Sequence, residues 1–192
     1  MKTLFTKVVN SFENEDVREF ALYCMENLPE YFWSIPASTS GKYHPVTDLG
    51  EGGLVRHSLM TYKVLVDLFE VTNFCPENTI RESLLFAALF HDCCKCGTEN
   101  TPTENTLHEH PLLAATFITD RFMEFSENHS THFYIKNIVN SISCHMGKWN
   151  TSKYSETILP TPVEQDEKIV HQADYIASRK YCLFDENFFN SL

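Results

Sequence analysis

Basic side chains are scarce in this chain: 15 Lys and Arg stand against 26 Asp and Glu, a formal net charge of −11. That balance repels an extended polyanion wherever no bound metal or local basic patch offsets it, so long nucleic acid is a disfavoured partner. Long apolar runs are missing as well. No stretch approaches the length that crosses a bilayer, and Met1 to Asn10 lacks the apolar run of a signal peptide, so a soluble, cytoplasmic protein without a membrane partner is expected. The seven cysteines (Cys24, Cys75, Cys93, Cys94, Cys96, Cys144 and Cys182) are odd in number and form no paired spacing. This excludes a disulfide framework and points to reduced thiols. Period-two alternation is absent over any useful length, which argues against a sheet, and no internal repeat is visible.

The dominant period is helical. With 192 residues, 43% of them hydrophobic, the chain can bury one sizeable core, and a single domain over residues 1–192 is expected. Val17, Phe20, Ala21, Cys24, Met25 and Leu28 fall at offsets of 0, 3, 4, 7, 8 and 11, and Pro29 ends that helix. A loop runs from Pro36 to the Gly52-Gly53 pair, and a helix is predicted over Leu54 to Val71. Thr79 with Glu82 reads as a capping box before a helix from Ile80 to about Asp92, whose apolarity on all sides marks it as central and buried. Gly97 is its stop, Thr98 to Thr106 a loop, and Pro111 suits the first turn of a fourth helix carrying Leu112 to Phe122. A fifth carries Ile135 to Ile142, residues 147–162 read as irregular, and a last helix begins near Val163. The expected fold class is all-α, a helical bundle.

The informative feature is where histidines fall on those helices. His57 lies in the first turns of one, the His91-Asp92 pair closes the buried one, His110 opens the next, His145 ends the fifth, and Asp174 sits in the last. Antiparallel packing can bring such ends together. Imidazole nitrogens with carboxylate oxygens suit a borderline divalent cation, Mn or Fe foremost and Zn, Co or Ni also admissible, whereas Mg or Ca would call for mostly oxygen ligands. Asp92 has two oxygens for two cations, which would lie about 3.5–4 Å apart as in two-metal hydrolytic sites. Lys95 shares a face with His91 and Asp92 if the helix runs on for a turn, and its ammonium would then hold a substrate phosphate. Gly53 would let backbone approach the site closely.

The stretches GEGGLVRHSL (Gly50 to Leu59), HDCCK (His91 to Lys95), HEHPLLAA (His108 to Ala115), CHMGKW (Cys144 to Trp149) and HQADYIAS (His171 to Ser178) resemble, in order, the HD superfamily of metal-dependent phosphohydrolases. The likeness spans about Tyr43 to Lys180, and its series H, HD, H, H, D is similar to the two-metal branch. Within that branch the segments are most similar to the HD domain of YhaM-type 3'-5' exoribonucleases. The resemblance implies an HD-type bundle with one metal on His57, His91, Asp92 and Asp174, and a second on His110 and His145 with Asp92 bridging. It makes Lys95 the lysine of the HDxxK motif, so that Asp92 and Lys95 are the catalytic pair. The implied activity is hydrolysis of a phosphate ester or phosphodiester of a nucleotide-sized substrate by metal-activated hydroxide. The alternatives are a 3'-5' exonuclease on short single strands, a nucleotidase or dNTP triphosphohydrolase, and a non-catalytic nucleotide-binding module. Two departures stand out: Met146 occupies a place where the family often has a second histidine, and 192 residues leave no room for the OB domain of the exoribonucleases.

The remaining residues have plainer readings. His108 competes with His110 and reads as a loop residue facing solvent; the proline after His110 favours His110 by similarity to the family's HP. His171 precedes Asp174 by three and reads as a supporting or packing residue. His44, His129 and His132 read as surface. Cys93, Cys94 and Cys96 lack zinc-thiolate spacing and read as core or near-site thiols. Trp149, with Lys148 and Tyr154, is a candidate platform for stacking on a base, weighed against an ordinary core role.

Overall fold

Apolar residues at helical spacing account for every element of the computed structural model, which describes residues 1–191 and holds eight α-helices and no strand among them. Helix α1 spans Lys2–Asn10, α2 Glu15–Glu26, α3 Gly53–Val71, α4 Asn78–Phe90, α5 His110–Ser126, α6 Ile135–Ser143, α7 Gln165–Ala177 and α8 Glu186–Ser191. Two short 3-10 turns, Glu30–Trp33 and Val46–Asp48, punctuate the long connection before α3. No helix among these residues is long and apolar enough to cross a membrane.

Helix α4 is the axis of the molecule. It packs on α3, α6, α7 and α2, and Ser83 through Phe90 are all buried. Such a helix has no polar face to offer, so its burial is dictated by composition alone. Around it α3 pairs with α7 and α6 with α5. Aromatic rings lock the layers. Phe86 stacks on Phe20 of α2 at 5.2 Å and on Phe90 at 4.4 Å, and Phe20 also meets Phe122, Phe125 and Phe133.

Two elements lie outside the helical period that begins at Val17. Helix α1 buries Phe5, Val8 and Val9, and α8 buries Phe189, whose ring stacks on Phe184. Lys7 of α1 donates to the Asn190 carbonyl and joins these two short elements.

The Thr79-Glu82 capping box does not form. Helix α4 starts at Asn78 with no side-chain cap, and Glu82 points away from its own N-terminus. Its carboxylate accepts from the backbone N–H groups of Glu13 (2.7 Å) and Asn14 (2.8 Å), tying the α1–α2 turn to the central helix. A long-range use therefore outcompetes the local one. Because Glu82 is buried, Glu82→Ala leaves two donors without an acceptor and is expected to lower unfolding free energy by about 2 kcal/mol. Urea denaturation measures it, and a change under about 0.5 kcal/mol would count against this anchor. A capping box does form elsewhere, between Glu164 and Glu167 at the start of α7.

Candidate metal centre

Four helix ends and one helix interior converge on one point. His57 sits in the second turn of α3, His91 directly follows α4, His110 is the first residue of α5, His145 follows α6 by two residues, and Asp174 lies in the last turn of α7. The chain after α4 does not continue as an α-helix. Cys93 N–H donates to the Phe90 carbonyl and Lys95 N–H to the Asp92 carbonyl, tighter three-residue turns that curl Lys95 back onto Asp92. Gly147, at φ +57, turns the chain sharply after His145, and a Cβ there would stand 2.3 Å from the His171 ring.

Asp92 is the hub. Its Oδ1 lies 3.0 Å from His110 Nε2 and 3.6 Å from His145 Nε2. Its Oδ2 lies 2.5 Å from Lys95 Nζ, 3.4 Å from His91 Nε2 and 3.8 Å from His57 Nε2. Asp174 Oδ1 completes the ring at 3.0 Å from His57 Nε2 and 3.6 Å from His91 Nε2. His57, His91, His110, His145 and Asp92 are at most 3% exposed.

The tautomers follow from the backbone. The Nδ1–H groups of His91, His110 and His145 donate to the carbonyls of Ala88 (2.9 Å), Leu107 (2.6 Å) and Ile142 (2.7 Å). A carbonyl can only accept, so Nδ1 carries the proton, and in the neutral, metal-ligating form of each ring Nε2 is a lone pair turned inward. Those lone pairs face carboxylate oxygens and one another; His110 Nε2 and His145 Nε2 are only 3.1 Å apart. His91 Nε2 and Asp92 Oδ1 accordingly find no hydrogen-bond donor although both are buried. Acceptors crowded in a dry place repel one another, and a divalent cation is what turns that repulsion into ligation. The carbonyl bonds behind the rings orient them as metal-ligating histidines usually are oriented.

Protonation fits the same reading. Burial brings the His57 imidazole down to about 4, against the pull of Asp174, so the ring is neutral at neutral pH. Burial likewise lowers His110. For Asp92, burial pushes upward, but the Lys95 ammonium, His91 and the hydrogen bonds of His110 and His145 together outweigh it and hold the carboxyl well below the usual range. Burial pushes His91 down too, but the Asp92 and Asp174 carboxylates and the Ala88 carbonyl together raise it, so positive charge is favoured at this spot.

A cavity of about 400 Å³ opens onto the cluster, with Lys95, Met146, Trp149, Tyr175 and Arg179 in its wall. Trp149 lies parallel to Tyr175 at 5.3 Å, the Arg179 guanidinium covers Tyr175 and Tyr43, and Lys148 lies over Trp149. Gly53 is not in that wall. It is buried against the preceding loop, where a Cβ would fall 2.0 Å from the Asp48 carbonyl oxygen, so the close approach it permits is backbone to backbone.

Several plainer readings change. His108 is half-buried rather than free in solvent: its Nε2 bonds the Thr157 carbonyl at 3.1 Å and pins the irregular segment before α7. His171 donates from Nδ1 to the His145 carbonyl at 2.6 Å, the supporting role expected of it. His129 and His132 are exposed, but His44 is not a surface residue; it lines the cavity and its ring meets that of His57 at 4.8 Å. The sequence signal for His44 was weak, since it lies in a loop without period. Cys93, Cys94 and Cys96 are buried free thiols, with Cys93 and Cys94 Sγ 3.8 Å apart.

A family model described as HD domain matches residues 54–179. No curated protein and no solved structure matches the chain.

Proposed function

The chain belongs to the HD domain family, whose members are generally metal-dependent phosphohydrolases, and from that membership we propose that it hydrolyses a phosphate ester or phosphodiester of a nucleotide-sized substrate. The observation that carries the reading is the inward convergence of acceptor-only atoms on Asp92. Asp92 divides its oxygens between two histidine pairs, Oδ1 toward His110 and His145 and Oδ2 toward His91 and His57. That division supports two ions, one on His57, His91, Asp92 and Asp174 and the other on His110, His145 and Asp92. Divalent ions there supply Lewis acidity toward water and toward phosphoryl oxygens.

The chain's own residues do the rest. Lys95 carries a buried ammonium that faces the cavity beside Asp92, placed to neutralise charge on a phosphoryl oxygen. Arg179 offers a second cation at the rim, and the cavity volume lies in the range of small-molecule sites. The parallel Trp149 and Tyr175 rings, with Trp149 41% exposed, give a base a flat surface outside the phosphate end. That exposed platform also favours a second reading, a 3'-5' exonuclease on short single strands. The net charge of −11 weighs against long polymers.

The test is hydrolysis of p-nitrophenyl phosphate mono- and diesters, a nucleotide panel and short oligonucleotides by protein loaded with Mn²⁺. Turnover is expected with metal and is expected to disappear with chelator; rates equal to buffer in both cases reject the proposal. In the same assay Trp149→Ala is expected to raise KM for the preferred nucleotide about tenfold with kcat nearly kept, from the usual worth of one base stack. An unchanged KM removes Trp149 from the binding surface.

A further inference from the structure

Behind His57, on the side away from Asp92, lies a second group of buried polar atoms that the reaction above does not use. His44 Nδ1, Asp48 Oδ2 and His57 Nδ1 are all buried without a hydrogen-bond partner. His44, Asp48 and His57 each offer a donor atom within 4.8 Å of the others, and His44 Nδ1 is 3.8 Å from Asp48 Oδ2. Asp48 is fully buried, and the only basic side chain among the described residues within 4 Å of its carboxylate is His44; the half-buried Cys182 thiol also lies near enough to feel it. Its other oxygen accepts only from the Thr47 hydroxyl.

The geometry points to a further divalent-cation site on His44, Asp48 and His57, with His57 shared between it and the main centre. Two imidazoles and one carboxylate form a donor set of the kind that holds Zn²⁺ in catalytic sites with an open position. Three ligands about 2.1 Å from one ion lie roughly 3.4–3.6 Å from one another, so donor atoms that lie up to 4.8 Å apart close by about 1 Å on binding, a movement that rotation of the two imidazole rings supplies. A lone water is the weaker occupant, because it leaves the buried Asp48 carboxylate with no cation in reach beyond the His44 ring. His57 differs from the other three histidines here: their Nδ1 atoms are engaged by carbonyls, whereas its own is free to bind. With ions on both nitrogens the ring gives up its proton to solvent and bridges as imidazolate.

The loop that carries His44 and Asp48 is held rather than loose. Asp48 carbonyl accepts from Ala37 N–H at 2.9 Å, Arg56 Nε donates to the Thr47 carbonyl at 2.6 Å, and Gly53 packs directly on Asp48. His44 lines the main cavity, which gives the ion a route in.

Equilibrium dialysis of chelator-stripped protein against Zn²⁺ counts the ions. Asp48→Asn and His44→Gln are each expected to bind one ion fewer than wild type, with unchanged circular dichroism in chelator. His44→Gln, at the cavity wall, decides the matter alone if Asp48→Asn fails to fold. Placed in an Asp92→Ala background, which weakens the main centre, His44→Gln is expected to remove one further ion. Equal counts for wild type and both single variants overturn this site and leave the Asp92 centre standing. A wild type that binds no Zn²⁺ overturns both.

Discussion

Asp92→Ala is expected to lower kcat/KM by about 10³-fold or more, since it removes the one side chain that reaches both halves of the histidine ring. Its Oδ1 serves His110 and His145, its Oδ2 serves His91 and His57, and no other carboxylate among the described residues lies within 4 Å of His110 or His145 Nε2. Loss of several kcal/mol of transition-state charge stabilisation corresponds to three or more decades in rate. Two opposing effects bear on folding. The change leaves Lys95 without its buried partner, which is destabilising, but it also relieves the repulsion between the carboxylate and the inward lone pairs. The metal-free variant should therefore stay folded, and circular dichroism separates lost chemistry from lost structure. An Asp92→Ala enzyme within tenfold of wild type would remove Asp92 from the centre of the reaction.

Phe86→Ala is the substitution with the largest expected cost in stability, about 3–5 kcal/mol, and a fall in Tm of roughly 6–20 °C. The ring is fully buried and sandwiched between Phe20 and Phe90, and through Phe20 it reaches Phe122, Phe125 and Phe133. Deleting it opens a cavity between Phe20 of α2 and Phe90 of α4 that rigid neighbouring rings cannot fill. Phe90 precedes His91, so the same aromatic stack seats the His91-Asp92 pair. Thermal and urea unfolding measure the loss, and activity per folded molecule at low temperature should be largely kept. A destabilisation below about 1 kcal/mol would mean that the stack is not the core's keystone.

The helices most legible in the sequence were those whose apolar period is long. Helices α3, α4 and α6 and the start of α7 fall within about two residues of expectation because each must bury one continuous face, whereas α5 runs four residues past Phe122 to Ser126. Helix α1 was legible in principle, since Leu4, Phe5, Val8, Val9 and Phe12 repeat at helical spacing, but nine residues carry little signal; α8, at six residues, carries less. Glu82 shows where local rules fail: a capping box spacing was present, yet the carboxylate finds two unpaired N–H groups sixty-eight and sixty-nine residues away in sequence. His44 and Asp48 escaped notice for a related reason. A loop has no period, and the sequence separation to His57 says nothing about the distance in space.

What the sequence determined by itself is the fold class and the donor inventory. Apolar period decides which residues must be buried, and the order H, HD, H, H, D lies in chain order whatever the folding. What only the tertiary structure decided is which atoms of those residues face one another. The Nδ1–H bonds to the carbonyls of Ala88, Leu107 and Ile142 turn three lone pairs inward, and the tight turn after α4 brings Lys95 onto Asp92. The packing of Asp48 on Gly53 then presents a second set of acceptors to the back of His57. Such arrangements depend on ring orientation and helix-end geometry, which arise from contacts between segments distant in the chain.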